Sequence, residues 1–190
     1  KNLLLTPGIY DLEEPIAVNR PDTIVLGMGL ATLRAAKGNV CLETGNVQGL
    51  ILAGLLFDAG EIKSDNLLVI GNEGQKSEDN GKNIYLSDLF FHVGGTDTDT
   101  PVSVKCCATI NSNHVVGDNF WVWRADHGDN VAWEKNEAEN GIIINGDDVT
   151  MYALMVEHFE QYQTVWNGDH GKVYMYQSEI PYDVPNQEVW

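Results

Sequence analysis

The chain has 190 residues, 43% of them hydrophobic, which is enough for one domain with a real core. Its 28 acidic and 11 basic residues leave a net charge of −17. That balance argues against nucleic acid or an anionic membrane as partner. No run approaches the ~20 apolar residues of a membrane-spanning helix. An acidic surface also suits a secreted enzyme that acts on a neutral polymer.

The first element is a short strand at Leu3-Leu4-Leu5, broken by the turn Pro7-Gly8. The sequence starts at Lys1 with neither Met nor a signal-type apolar stretch, as expected of a mature product or an internal piece. Strands follow around 24–26, 39–42 and 50–57, then at Leu67 to Gly71. Asn72 to Lys82 is polar and reads as a projecting loop. The apolar pattern resumes at 84–91. Gly94 to Pro101, with its alternating Asp, looks like half a calcium loop. It lacks the central Gly and terminal Glu of that motif, so it reads as a second projecting loop without metal.

Val102 to Cys107 is the next strand, then Asn119 to Asp126 with an aromatic centre at 120–123. Glu134 to Asn140 is charged and reads as one helical turn. Ile142 to Ile144, 149–156 and 173–178 complete the set, with Trp166 and Trp190 as packing residues. Cys106 and Cys107 would face opposite sides of their strand. The three cysteines read as buried apolar residues, with one disulfide to Cys41 as the alternative. Cysteine usage leaves the redox compartment open.

No segment carries a sustained helical stripe. Strand-sized runs recur instead, and aligning Ile24, Leu50, Ile84, Val116, Val149 and Val173 gives steps of 26, 34, 32, 33 and 24 residues. A core step near 24 with loop insertions predicts an all-β solenoid, a right-handed parallel β-helix over residues 1–190. Asn-Gly pairs at 80–81, 140–141, 145–146 and 167–168 also suit the hairpins of an antiparallel sandwich, the competing fold.

Two carboxylates stand at strand ends, Glu157 and Glu179, 22 residues and about one coil apart. Neighbouring coils lie ~4.8 Å apart, so the two acids converge. Glycoside hydrolysis needs a protonated carboxyl at the leaving oxygen. Tyr176, Ile180, Pro181 and Tyr182 flank Glu179, and an apolar, aromatic setting favours a proton there. Trp123 and Asp126 form a second pair, an indole face for a pyranose and a carboxylate for its hydroxyls. Core Trp and turn-capping Asp is the plainer reading of the same residues. His127, in Asp126-His127-Gly128, reads as a turn residue, with a sugar ligand as the alternative. His158 either orients Glu157 or packs.

Several runs resemble glycoside hydrolase family 55. They are Asn145-Gly146-Asp147-Asp148-Val149-Thr150, Val156 to Tyr162, Val165-Trp166-Asn167-Gly168, and Tyr176 to Gln187. The start, Pro7-Gly8-Ile9-Tyr10 with Arg20 to Gly27, resembles the opening coils of that family's second β-helix. The resemblance implies a secreted β-1,3-glucanase, exo-acting and inverting, that needs no cofactor and no metal and whose partner is β-1,3-glucan. It implies Glu179 as general acid, Glu157 as second acid near the attacking water, Tyr182 in the same site, and Trp123 and Asp126 along the sugar subsites. It also implies that the chain is a piece of a two-β-helix enzyme, so both ends of the stack should be open, with Leu3, Leu4, Leu5 and the region of Trp190 less buried than mid-chain residues.

Two other readings compete. Asp147 and Asp148, with His170 in Asp169-His170-Gly171, mimic the paired Asp and His of polygalacturonase-like β-helix hydrolases. The upstream Asn-Thr-Asp and downstream Arg-Ile-Lys of that group are missing, and pectin would meet a −17 surface. The third reading is a non-catalytic carbohydrate-binding β-helix.

Overall fold

The computed structural model describes residues 2–75, 81–96 and 100–190. Every regular element among them is a β-strand. One sheet holds β1 (Leu3–Leu5), β2 (Ile9–Leu12), β4 (Ile24–Ala35), β6 (Ile51–Asp58), β8 (Ile84–Val93), β10 (Val115–Arg124), β12 (Thr150–Glu157) and β14 (Lys172–Glu179). The other holds β3 (Ile16–Val18), β5 (Leu42–Thr44), β7 (Ser64–Ile70), β9 (Val102–Ile110), β11 (Asn136–Ile144) and β13 (Tyr162–Trp166). All pairings shown are parallel, and strands alternate between the sheets along the chain. Parallel neighbours need a crossover, and each sheet supplies the crossover for the other. The fold is therefore a parallel β-helix.

The core is a set of columns, one residue per coil. Leu55, Leu89, Phe120 and Leu154 are register partners in turn, all with no exposed surface. Leu68, Ala108 and Ile142 do the same from the second sheet. Phe57 stacks on Phe91 with centroids 4.9 Å apart. Each such Leu or Phe contributes about 1.5–3 kcal/mol by leaving water. The column ends openly at the last coil, where Tyr176, partner of Leu154, is 44% exposed. In the first coil Leu4 is exposed because it faces outward with Leu26, while Leu3 is half-buried and Leu5 is buried, against the expectation for Leu5.

A second column has an unusual backbone. Leu30, Gly54, Asp88, Asn119, Ala153 and Met175 all have φ between 52° and 69°. They interrupt the long strands of the first sheet, where the pairing skips one residue on each strand and, in β4, shows a bulge between Leu26 and Ala31. The left-handed conformation costs an L-residue roughly 1–2 kcal/mol. Here it creases each of the long strands, so inward side chains change from a spacing of two to three across it, as at Leu52 and Leu55 or Leu86 and Leu89. Asn119 steadies the crease by donating Nδ2–H to Asp88 Oδ1 at 2.7 Å.

Four expectations need correction. The aligned column is off by one or two residues: Ile24 pairs with Ile51, Val116 with Thr150, and Met151 with Val173. Apolar residues line the outside of the stack as well as the inside, and Ile24 is 37% exposed, so residue type did not mark the face. Glu134 to Asn140 is not a helical turn, because β11 begins at Asn136 and pairs with Val102. Trp190 is 47% exposed and does not pack, whereas Trp166 lies against the core. The disulfide alternative also falls, since Cys41, Cys106 and Cys107 are free and buried. The remaining described parts of the two expected loops, 72–75, 81–82, 94–96 and 100–101, lie outside the strands. Residues 76–80 and 97–99, including the alternating Asp97 and Asp99, lie outside the described residues.

Candidate active site

The C-terminal ends of the first sheet's strands form one rank. Asp11, Arg34, Asp58, His92, Trp123, Glu157 and Glu179 are successive register partners. Val122 and Val156 point into the core, so the residues after them face outward. Glu157 and Glu179 thus stand on adjacent rungs, as the 22-residue interval predicts.

Neutral donors hold both carboxylates. Trp121 Nε1–H donates to Glu157 Oε2 at 3.0 Å. Gln177 Nε2–H donates to Glu179 Oε1 at 2.9 Å, and the Tyr182 hydroxyl donates to Glu179 Oε2. That bond, first, and the surrounding negative charge hold the Tyr182 phenol above its ordinary value. Glu157 is 8% exposed; Tyr182, at 65%, stands open to solvent.

Trp121 and Trp123 stack at 5.1 Å, with the His92 ring edge-on at 6.0 and 5.4 Å. Burial penalises the charged imidazole and lowers the His92 pKa below its ordinary value. Trp123 is only 7% exposed, covered by Trp121 and by His127 at 5.2 Å. Trp121 is the more open indole. Asp126 lies at the rim, with His127 Nδ1 at 2.8 Å and His158 Nε2 at 3.9 Å. Burial pushes its carboxyl up, but the His127 hydrogen bond and both imidazoles outweigh that and hold it below the usual range.

His158 backs the site from beneath. Its backbone N–H donates to the Glu179 carbonyl at 2.9 Å, and its Nδ1 bonds the Ile180 carbonyl at 3.0 Å, so Nδ1 carries the proton. Its ring lies 4.7 Å from that of Tyr182. The structure thus gathers Glu157, Glu179, Tyr182, Trp123 and Asp126 at one end of the sheet. Sequence reasoning missed Trp121, Gln177 and His92. Strand parity was the available signal, since Trp121 and Gln177 lie two residues before Trp123 and Glu179, on the same face.

Asp147, Asp148 and His170 sit elsewhere, before β12 and β14, at the far end of those strands from the two Glu residues. Asp147 is engaged in turn geometry, taking a bond from Asp169 N–H at 2.9 Å on Oδ1 and one from His114 N–H at 3.0 Å on its carbonyl. His170 Nδ1 lies 3.6 Å from Asp148. Among the described residues, no group of three His, Cys, Asp or Glu side chains is placed to hold a metal ion.

Comparison with known proteins agrees with the fold. The family model for the LAM55 pectate lyase-like domain matches residues 1–179. An exo-beta-1,3-glucanase from Streptomyces sp. strain SirexAA-E is 41% identical over 186 residues, which are 98% of this chain and 30% of that protein. Two solved structures of sacteLam55A from the same Streptomyces, one of them a glutamate-to-alanine variant in complex with glucose, superpose with a TM-score of 0.95 at 40% identity. They match 99% of this chain and 34% of theirs. The chain therefore spans about a third of the length of the relatives it matches. With nearly its whole length matched by one family model and the fold reproduced coil by coil, the chain belongs to the LAM55 pectate lyase-like family, glycoside hydrolase family 55.

Proposed function

We propose that the chain carries the acid side of the active site of a secreted β-1,3-glucan hydrolase, acting on laminarin-type chains from the end and with inversion. Glu179 is the general acid. Tyr182 and Gln177 fix its carboxyl, one on each oxygen, so that a single geometry meets the glycosidic oxygen. Trp121, stacked on the buried Trp123, gives the sugar an aromatic wall, in place of the Trp123 face the sequence suggested, and Asp126 gives its hydroxyls an acceptor. The exo-beta-1,3-glucanase relative supports the substrate class.

An inverting pair stands roughly 6.5–9.5 Å apart to admit a water. Adjacent rungs are nearer, at ~4.8 Å. We therefore assign water activation to groups in the remaining β-helix of the complete enzyme, and give Glu157 a supporting role in which its charge favours the proton on Glu179. The observation that carries the proposal is the pairing of Glu157 and Glu179 on neighbouring rungs beside two stacked indoles. The test is laminarin digestion by the complete enzyme with product-anomer analysis. Initial release of α-glucose supports inversion from the chain end; β-glucose or mixed oligosaccharides would overturn that part. Galacturonate release from pectin would favour Asp147, Asp148 and His170 instead, and binding without turnover would favour a binding module.

A further inference from the structure

Arg124 is the largest side chain with no exposed surface. A guanidinium keeps its charge in a protein interior, so each of its five N–H groups needs an acceptor. The fold supplies all five. Nε donates to the Asn136 carbonyl at 2.9 Å, Nη1 to the His158 carbonyl at 3.3 Å and Nη2 to the Ala132 carbonyl at 3.3 Å. The other two reach Asp183 as a fork, Nη1 to Oδ1 at 2.9 Å and Nη2 to Oδ2 at 2.8 Å. Glu160 adds a second carboxylate at 3.5 Å, and the Trp133 ring lies 5.6 Å from Cζ.

Asp183 belongs to the stretch that follows β14, outside the regular strands. That stretch carries Tyr182. It is fastened on both sides of the tyrosine, by His158 to the Ile180 carbonyl and by Arg124 to Asp183, and the buried Pro181 limits its backbone freedom between them. Arg124 also holds the carbonyl of His158, so both fastenings meet at one guanidinium. An Arg–carboxylate fork fixes angle as well as distance. The exposed Tyr182 hydroxyl is thereby aimed at Glu179 by a buried cation that touches neither residue.

Resting on the assignment of Glu179 as the acid, we propose that Arg124 is a positioning residue for the reaction, acting through Asp183 to hold Tyr182 against Glu179. Misplacement of a catalytic group by about 1 Å costs on the order of 100-fold in rate.

The test is a double-mutant cycle in the complete enzyme, with kcat and KM for laminarin and Tm recorded for each variant. Asp183→Asn removes the charge and one arm of the fork but leaves Glu160 beside Arg124, which guards against misfolding. It should lower kcat about 10- to 100-fold with KM within about twofold. Tyr182→Phe should lower kcat comparably, and the double variant should be little worse than either single one, because both changes act on one bond. Multiplicative losses, or an Asp183→Asn enzyme with lowered Tm and unchanged kcat, would overturn the proposal and leave Arg124 a purely structural residue. Glu179→Gln is run in parallel. If it is inactive while Asp183→Asn keeps full kcat, the positioning role alone falls. If it turns over laminarin normally, the assignment of the acid falls and the positioning role with it.

Discussion

One rank of side chains crosses the molecule, and its two halves are built differently. In the early coils it reads Asp11, Arg34, Asp58, and one cation is shared between two carboxylates: Arg34 reaches Asp11 at 3.3 Å and Asp58 at 3.2 Å. In the late coils it reads His92, Trp123, Glu157, Glu179, and the carboxylates take their hydrogen bonds from indole, amide and phenol donors. Both halves pair in parallel, although β4 in the early half carries a bulge between Leu26 and Ala31. The early half spends its charge on holding coils together. The late half leaves its two carboxylates without a cation on the rank, beside two stacked indoles, and it is there that the proposed chemistry lies.

The comparison breaks most sharply at Glu179. Glu179→Gln in the complete enzyme should reduce laminarin turnover by about 10²–10⁴-fold or more and leave Tm nearly unchanged. Near-normal turnover would show that the late half has no catalytic acid there. Arg34→Met should behave in the opposite way. Burial raises the Asp58 pKa even against the pull of Arg34, so losing the cation strands a carboxyl whose side chain is 5% exposed. Partial exposure of Arg34 limits the cost to about 1–2 kcal/mol. Tm should fall by about 2–8 °C, with turnover within twofold. A large loss of turnover at unchanged Tm would mean that the early coils also serve the reaction.

A smaller effect comes from Glu160. Burial lifts its pKa to about 7, only partly offset by Arg124. The folded state then holds the Glu160 proton more tightly than the unfolded chain does. Its stability contribution is unimpaired below about pH 4.5 and declines as pH rises toward 7. Glu160→Gln removes the titration, so its Tm should match the parent at pH 4.5 and exceed it at pH 8 by a few degrees, about 2–4 °C. A Tm difference independent of pH would place the Glu160 charge in solvent. The smallest effect belongs to Asp147→Asn, whose Oδ1 can still accept from Asp169 N–H. Laminarin turnover and Tm should both stay within error, and loss of activity would return Asp147 to the candidate acids.

Most of the first sheet was legible. Runs such as Leu50 to Phe57 and Val149 to Val156 announce buried parallel strands, because both the inward face and the outer wall are apolar. The same feature hid the register, since alternation is weak where both faces accept Leu and Ile. Glu157 and Glu179 were readable as strand-end acids one coil apart. Arg124 was not singled out, although parity with Phe120 and Val122 points it inward. A charge at an inward position is recognised only once its partners are known, and Asp183 lies 59 residues away. The crease was also hidden. Gly54 and Asn119 are ordinary left-handed residues, but Ala153 and Met175 give no local sign of it.

That crease sets how the rank is kept in line. Leu30, Gly54, Asp88, Asn119, Ala153 and Met175 precede Arg34, Asp58, His92, Trp123, Glu157 and Glu179 by four residues each. Coil lengths meanwhile run from 22 residues, between Thr150 and Lys172, to 34, between Ile51 and Tyr85. The chain counts its outer rank from the crease and not from the turns. Residues can be added to a turn without cost to the alignment, while one residue inserted between Ala153 and Glu157 would swing that acid into the core. Such a scaffold separates the length of its turns from the spacing of its acids.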